Sequence, residues 1–122
     1  MEMLEWIPVE QAGQIETVCE LAREIWTDRY LGAYGSMELD YLLRTWQSPG
    51  AVRRQIDGGY MEYRLICYDG AEVGYAALRE KEDALWMYHA YIRGEYHGNR
   101  TVTGMLELIE LSLIHISEPT RH

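Results

Sequence analysis

LWMYHAYIRGEYHGNRTVTGML, residues 85–106, passes from one periodicity to another within a single run. Alternation from Leu85 to Ile92 puts Leu85, Met87, His89 and Tyr91 on one face and Trp86, Tyr88, Ala90 and Ile92 on the other. Both faces are largely apolar, which predicts a central strand in a sheet covered on both sides. A polar turn containing Gly94 and Gly98 follows. From Thr101 onward, Val102, Met105, Leu106, Ile109 and Leu113 take helical spacing. A strand that feeds a turn and then a helix presents unpartnered amides at the positive end of the helix dipole, where an anion is stabilised. Spacing alone leaves two readings, a loop that cradles a phosphate and a polar turn that caps a helix. Gly98 lets the backbone approach oxygen closely, Asn99 tolerates the left-handed region and Arg100 adds charge. The glycine patterns of dinucleotide sites and nucleotide hydrolases are absent.

Upstream the chain divides into short elements. LEWIPV is apolar, and Pro8 restricts Ile7 to extended backbone, which predicts a first or edge strand. In EQAGQIETVCELAREIWTDRY, Ile15, Val18, Ala22, Ile25, Trp26 and Arg29 follow helical spacing, with Glu16, Glu20 and Glu24 opposite. LGAYGS is expected as a loop, with Ser36 capping a second helix striped by Leu39, Leu42, Leu43 and Trp46. Ser48-Pro49-Gly50 ends that helix, AVRRQI adds one or two turns, and Asp57-Gly58-Gly59 turns the chain. YMEYRLICY and EVGYAALRE are strands joined by Asp69-Gly70, a strong hairpin signal. Strand, two helices, three strands and a helix make a layered α/β domain without repeats or linkers.

The formal charge of −9, from 20 acidic and 11 basic side chains, disfavours nucleic-acid partners and anionic membrane surfaces, which require clustered cations. An acidic shell is mildly compatible with cationic substrates such as amines, but solubility alone is the commoner cause of such a charge. Ten Tyr and four Trp against no Phe give many apolar bodies with polar handles, suited to a surface or cleft. Cys19 and Cys67 supply neither a disulfide framework nor a metal cluster and are expected as buried free thiols in a reducing compartment. MEMLEWIPVE has neither a cationic start nor an apolar run, so no signal peptide is expected and the cytoplasm is the default location.

The last residues, LSLIHISEPTRH from 111 to 122, resemble a translation product of sequencing-adaptor DNA. The expectation is therefore a partial domain over residues 1–110 followed by a non-native tail over 111–122. A naturally short C-terminus is the alternative.

Residues 85–106 also resemble the acyl-CoA-binding core of the GCN5-related N-acetyltransferases. Tyr91 and Ile92 match that family's apolar-aromatic pair, Glu95, Tyr96 and Gly98 the following positions, and Met105 and Leu106 the aliphatic ones. The upstream helices and strands are similar to those of small bacterial members, so the resemblance spans about residues 2–110. It implies an acyl-CoA N-acyltransferase fold, a mixed central sheet flanked by helices, incomplete at the C-terminus. The departures are His97 where the family prefers Arg or Gln, Arg100 at its second glycine and Val102 at its third glycine or alanine.

That resemblance implies acetyl transfer from acetyl-CoA to the amine of a small molecule or peptide by the full-length parent, with the activity expected to be crippled in this truncated chain. The diphosphate would lie on amides from His97, Gly98, Asn99, Arg100, Thr101, Val102 and Thr103, with the pantetheine arm along Tyr91 and Ile92. It also implies a further strand, a helix and final strands, often with a tyrosine acid. Without them the edge of the last strand would stand open to pairing with a second copy. His89 is the candidate proton acceptor, on its place in the strand and its near-neutral titration rather than on the resemblance. A packed structural histidine is the competing reading. The acceptor pocket is expected around YLGAYGS. A non-catalytic acyl-CoA-binding or regulatory module is the alternative function, motivated by the lost glycines; an interaction protein whose turn binds no anion is a third.

Overall fold

The computed structural model describes residues 4–81, 84–104 and 107, with side chains at 80–89 outside the description. The chain forms β1 (Leu4–Pro8), α1 (Ala12–Tyr34), α2 (Ser36–Trp46), α3 (Pro49–Asp57), β2 (Glu62–Tyr68), β3 (Ala71–Lys81) and β4 (Ala84–Ile92). A single 3₁₀ turn, Gly94–Tyr96, leads to helical residues 100–104. The strands lie in the order β1-β2-β3-β4 with every pairing antiparallel, flanked by helices. The expected tail from 111, and Met105, Leu106, Ile109 and Leu113 of the expected last helix, fall outside the described residues.

Local chemistry explains most boundaries. Pro8 lacks an amide hydrogen and ends β1 at the sheet edge, where none is needed. Gln14 Oε1 accepts from the amides of Glu10 and Gln11 at 2.7 and 2.8 Å, satisfying donors at the start of α1. Ser48 Oγ accepts from Ala51 N at 3.3 Å, and Pro49 occupies the first turn of α3, where its missing donor costs nothing. Asp69 and Gly70 hold φ of 53° and 84°, the paired left-handed turn that matches strand twist.

Residues 30–36 depart from the sequence expectation. LGAY is helical, α1 runs to Tyr34, and Gly35 alone separates it from α2. Gly35 has φ +81 and donates to Leu31 O at 2.9 Å, so one left-handed residue turns the chain without a loop. Ser36 is accordingly the first residue of α2 and makes no cap hydrogen bond.

Two cores enclose the sheet. Against α1, α2 and α3, Val18, Ala22, Ile25, Leu39, Leu43 and Val52 pack on Tyr63, Leu65, Tyr75 and Tyr91. On the opposite face, Ile66, Tyr68, Val73 and Ala76 pack with Val102 from the last helical segment. Tyr91 and Ile92 thus contribute to different cores, as their alternation predicts. Further back the alternation does not run unbroken. Ala77 pairs with His89 but Leu78 with Met87, which leaves Tyr88 as an extra residue in β4. The two-face assignment of Leu85, Trp86, Met87, Tyr88 and His89 concerns side chains outside the description.

Gly74 fixes the spacing of β3 and β4. A Cβ there would collide with the Tyr91 carbonyl oxygen and lie 3.0 Å from Ile92 Cδ1. The Ile92 methyl can rotate away, but the Tyr91 carbonyl cannot retreat without breaking the strand pair. Gly74→Ala is expected to lower unfolding free energy by about 2 kcal/mol or more in urea titration, whereas a purely entropic glycine would make the same change neutral or stabilising.

Candidate active site

Three tyrosines from three adjacent strands line one aromatic hollow. Tyr75 of β3 pairs directly with Tyr91 of β4, and Tyr63 of β2 lies diagonally across from Tyr75. Their ring centroids are 5.1 Å apart for Tyr75 and Tyr91 and 6.2 Å for Tyr63 and Tyr75, with interplanar angles of 31° and 27°. Trp26 of α1 closes one side, 5.8 Å from the Tyr91 ring. Trp46 and Gln47 at the end of α2, and Gln55 of α3, form the wall above. Tyr60, Met61 and Arg79 complete a cavity of about 500 Å³.

A chain of hydrogen bonds runs round this wall. Trp26 Nε1 donates to Tyr75 Oη at 3.0 Å, and Tyr75 donates to Gln47 Oε1 at 2.5 Å. Gln47 Nε2 donates to Tyr63 Oη at 3.1 Å and to Trp46 O at 2.6 Å. Tyr63 donates to Gln55 Oε1 at 2.6 Å, and Gln55 Nε2 donates to Trp46 O at 2.9 Å. Each buried phenol is therefore partnered, as low-polarity surroundings require. Burial disfavours the phenolate and pushes Tyr63 up, Tyr75 far up and Tyr91 up to about 12, the last aided by the neighbouring Tyr30.

The turn after β4 is built on α1. Arg93 donates to Glu24 at 2.9 Å, pairs with Glu95 at 3.1 Å, and reaches Glu72 O at 3.4 Å. Its amide continues the ladder to Val73 O at 2.8 Å. His97 Nε2 donates to Ile92 O at 2.9 Å, folding the turn back on the strand end. A smaller cavity of about 220 Å³ lies here, between Ile25, Asp28 and Arg29 of α1 and Ile92, Gly94 and His97.

At the helix start the two sequence readings meet. Asn99 Oδ1 accepts from the amides of Thr101 at 3.0 Å and Val102 at 3.1 Å, a capped turn. Thr103 closes the turn by donating both its amide and its hydroxyl to Asn99 O, at 3.0 and 3.1 Å. Gly98 faces open space, and neither it nor Arg100 has positive φ, so Arg100 in place of glycine strains nothing. Arg100 is exposed and makes no ion pair with the described residues. Val102 is fully buried in the second core, so its side chain does not fill the hollow of the loop.

Tyr91 therefore lines the aromatic cavity, Ile92 and His97 the smaller one, and residues 98–103 form the capped turn. His89 stands opposite Ala77, in the row that begins at Tyr63; its side chain is outside the description. Residues 30–36, around which the acceptor pocket is expected, are not among the described lining of the aromatic cavity, whose walls come from Trp46, Gln47 and Gln55. Those three were missed because helical stripes absorb Trp46 into a core and give a lone Gln no meaning. The signal lay in the composition, since ten tyrosines without Phe put a hydroxyl on every phenyl ring.

No family model matches the sequence, and no curated protein matches it. Solved structures do. The PaiA N-acetyltransferase of Thermoplasma acidophilum, determined in complex with coenzyme A, superposes with a TM-score of 0.68 at 18% identity, over 94% of this chain and 73% of that one. A GCN5-related N-acetyltransferase of Rhodopseudomonas palustris gives 0.61 at 14% identity, over 92% and 67%. One from Ralstonia eutropha gives 0.53 at 15%, over 94% and 80%. The fold is that of the GCN5-related N-acetyltransferases.

The buried phenols predict an alkaline transition. Folded pKa values lie above the unfolded value of about 10, so their contribution is complete below pH 10 and is lost as pH rises towards 12. Urea midpoints should fall across that window, and ultraviolet titration of the native chain should show tyrosines that stay protonated at pH 10. Uniform ionisation near pH 10 with the fold intact would contradict it.

Proposed function

We propose that the chain transfers an acetyl group from acetyl-CoA to the primary amine of a small molecule or peptide. The observation that carries this reading is the superposition of 94% of the chain on an N-acetyltransferase solved with coenzyme A. In the transfer, the amine nitrogen bonds to the acetyl carbon, the carbon–sulfur bond breaks, and the proton lost by nitrogen ends on the thiol.

The loop fits a diphosphate in part. Gly98 leaves room for close approach, the amides of Gly98 and Arg100 have no acceptor among the described residues, and Val102 is turned away. The amides of Thr101 and Val102 are spent on Asn99, and must be released for a phosphate to use them. Tyr91 and Ile92 would carry the pantetheine arm along β4, whose outer edge pairs with no described strand. His89, in register with Ala77 on the cavity floor, is the proposed acceptor of the ammonium proton. An alkylamine remains protonated near neutrality, so without such an acceptor its lone pair is unavailable. The occupied cap is also the observation that favours the second reading, a weakly binding, non-catalytic acyl-CoA module.

Two experiments test this. Asn99→Gly frees two amides while costing the helix only a few tenths of a kcal/mol. Acetyl-CoA should then bind about fivefold tighter by calorimetry, equivalent to about 1 kcal/mol, and unchanged or weaker binding would place the diphosphate elsewhere. His89→Gln should lower kcat about 100-fold and abolish a fall in rate below about pH 6.5. A variant that retains both rate and acid limb removes His89 from the chemistry, and acetyl-CoA binding without thiol release in the unsubstituted chain favours the non-catalytic module.

A further inference from the structure

Tyr63, Tyr75 and Tyr91 are buried against one another, so a ligand that enters the aromatic cavity meets other surfaces first. Two residues of the lining are large, aromatic and open to solvent: Trp46 and Tyr60, 54% and 65% exposed. Trp26, Tyr30, Tyr34 and the three strand tyrosines pair among themselves, whereas neither Trp46 nor Tyr60 pairs with another described ring. A single exposed aromatic residue needs no explanation. These two differ in how they are held.

One residue fixes both backbones. Gln55 Nε2 donates to Trp46 O at 2.9 Å, while Gln55 O accepts from the amides of Tyr60 at 2.9 Å and Met61 at 3.2 Å. Gln55 Oε1 accepts from the buried Tyr63 hydroxyl at 2.6 Å, which ties the rim to the sheet. The Tyr60 ring is then seated on Gly58. With φ −81 and ψ −4, Gly58 has a negative φ open to any residue, so its backbone does not call for glycine. The ring does: a Cβ at position 58 would lie 2.5 and 2.8 Å from Tyr60 Cε2 and Cδ2, and 3.0 Å from Arg54 O. Holding an exposed side chain in one place costs conformational entropy, and here the chain supplies both the hydrogen bonds and the missing Cβ to do it.

We propose that Trp46 and Tyr60 determine acceptor specificity by stacking on the flat, apolar body of an amine at the mouth of the cavity, with Gly58 as the positioning residue of Tyr60. This rests on the acetyl-transfer reading for the role of the amine, while the contact with a flat body rests on the rim alone. Aromatic pairs in offset or edge-to-face contact gain more than their buried area, and a saturated ring of similar size gains the area only. The volume of about 500 Å³ lies within the range of small-molecule sites, about 300–1,000 Å³.

Calorimetric titration of the intact chain with 2-phenylethylamine and 2-cyclohexylethylamine, with and without saturating coenzyme A, separates stacking from burial. The aromatic amine should bind at least about threefold more tightly. Trp46→Leu and Tyr60→Leu should each lower that ratio, and so should Gly58→Ala, which displaces the Tyr60 ring without deleting it. A merely structural role would weaken both amines together and leave the ratio intact. Equal or tighter binding of the saturated amine overturns the proposal, as does a ratio unchanged by any of the three substitutions. Acetyl-CoA titrated in parallel separates the two readings. A ratio that depends on the rim, with no acetyl-CoA binding, removes the transfer reading and upholds the ring contact. Acetyl-CoA binding with no preference between the amines removes the contact alone.

Discussion

A phenol hydroxyl enclosed at the centre of a sheet has to be hydrogen-bonded, or its desolvation is left uncompensated. Tyr75 is fully buried and meets the requirement with two partners from different helices, Trp26 of α1 and Gln47 at the end of α2. The helical layer is thereby positioned on the sheet by polar contacts of defined direction as well as by apolar packing, which tolerates sliding. Gln47 passes the constraint on to Tyr63, and Tyr63 to Gln55 on α3. Three helices and two strands are registered against one another by a single run of donors and acceptors. The same run fixes Tyr63, Tyr75 and Gln47 in the lining of the cavity, so the feature that orders the layers also shapes it.

The sequence conveyed the order of elements because each has a strong local cause. Asp69-Gly70 can close a hairpin, Ser48-Pro49 can start a helix, and apolar alternation marks β4. It did not convey the end of α1. Residues 31–34 contain a glycine but also Leu and Ala, and helical continuity from the preceding turns outweighs one weak residue. The shift at Tyr88 was equally invisible, since a bulge changes register without changing composition. The cavity was legible only as a bias towards tyrosine, because its hydrogen bonds join residues up to 49 positions apart.

The loop after β4 gave an answer lying between the two sequence readings. Loss of glycine at position 102 directs a side chain into the second core, where Val102 is completely enclosed by Ile66, Tyr68, Val73 and Ala76. Loss at position 100 is harmless to the backbone. The amides of Thr101 and Val102 are taken by a residue that no glycine pattern examines, Asn99, whose side-chain oxygen accepts from both. Capping and anion binding are the same interaction offered to different acceptors.

One helix reaches both hollows. Glu24 grips Arg93 and so the turn after β4, while Trp26, on the next stretch of the same helix, reaches Tyr75 over the aromatic cavity. A rigid rod that touches two sites acts as a lever between them. Any tilt of α1 that widens one hollow must displace the other, so mutational drift along this helix would reshape the two jointly. A change confined to one hollow would then have to come from α2, α3 or the turn.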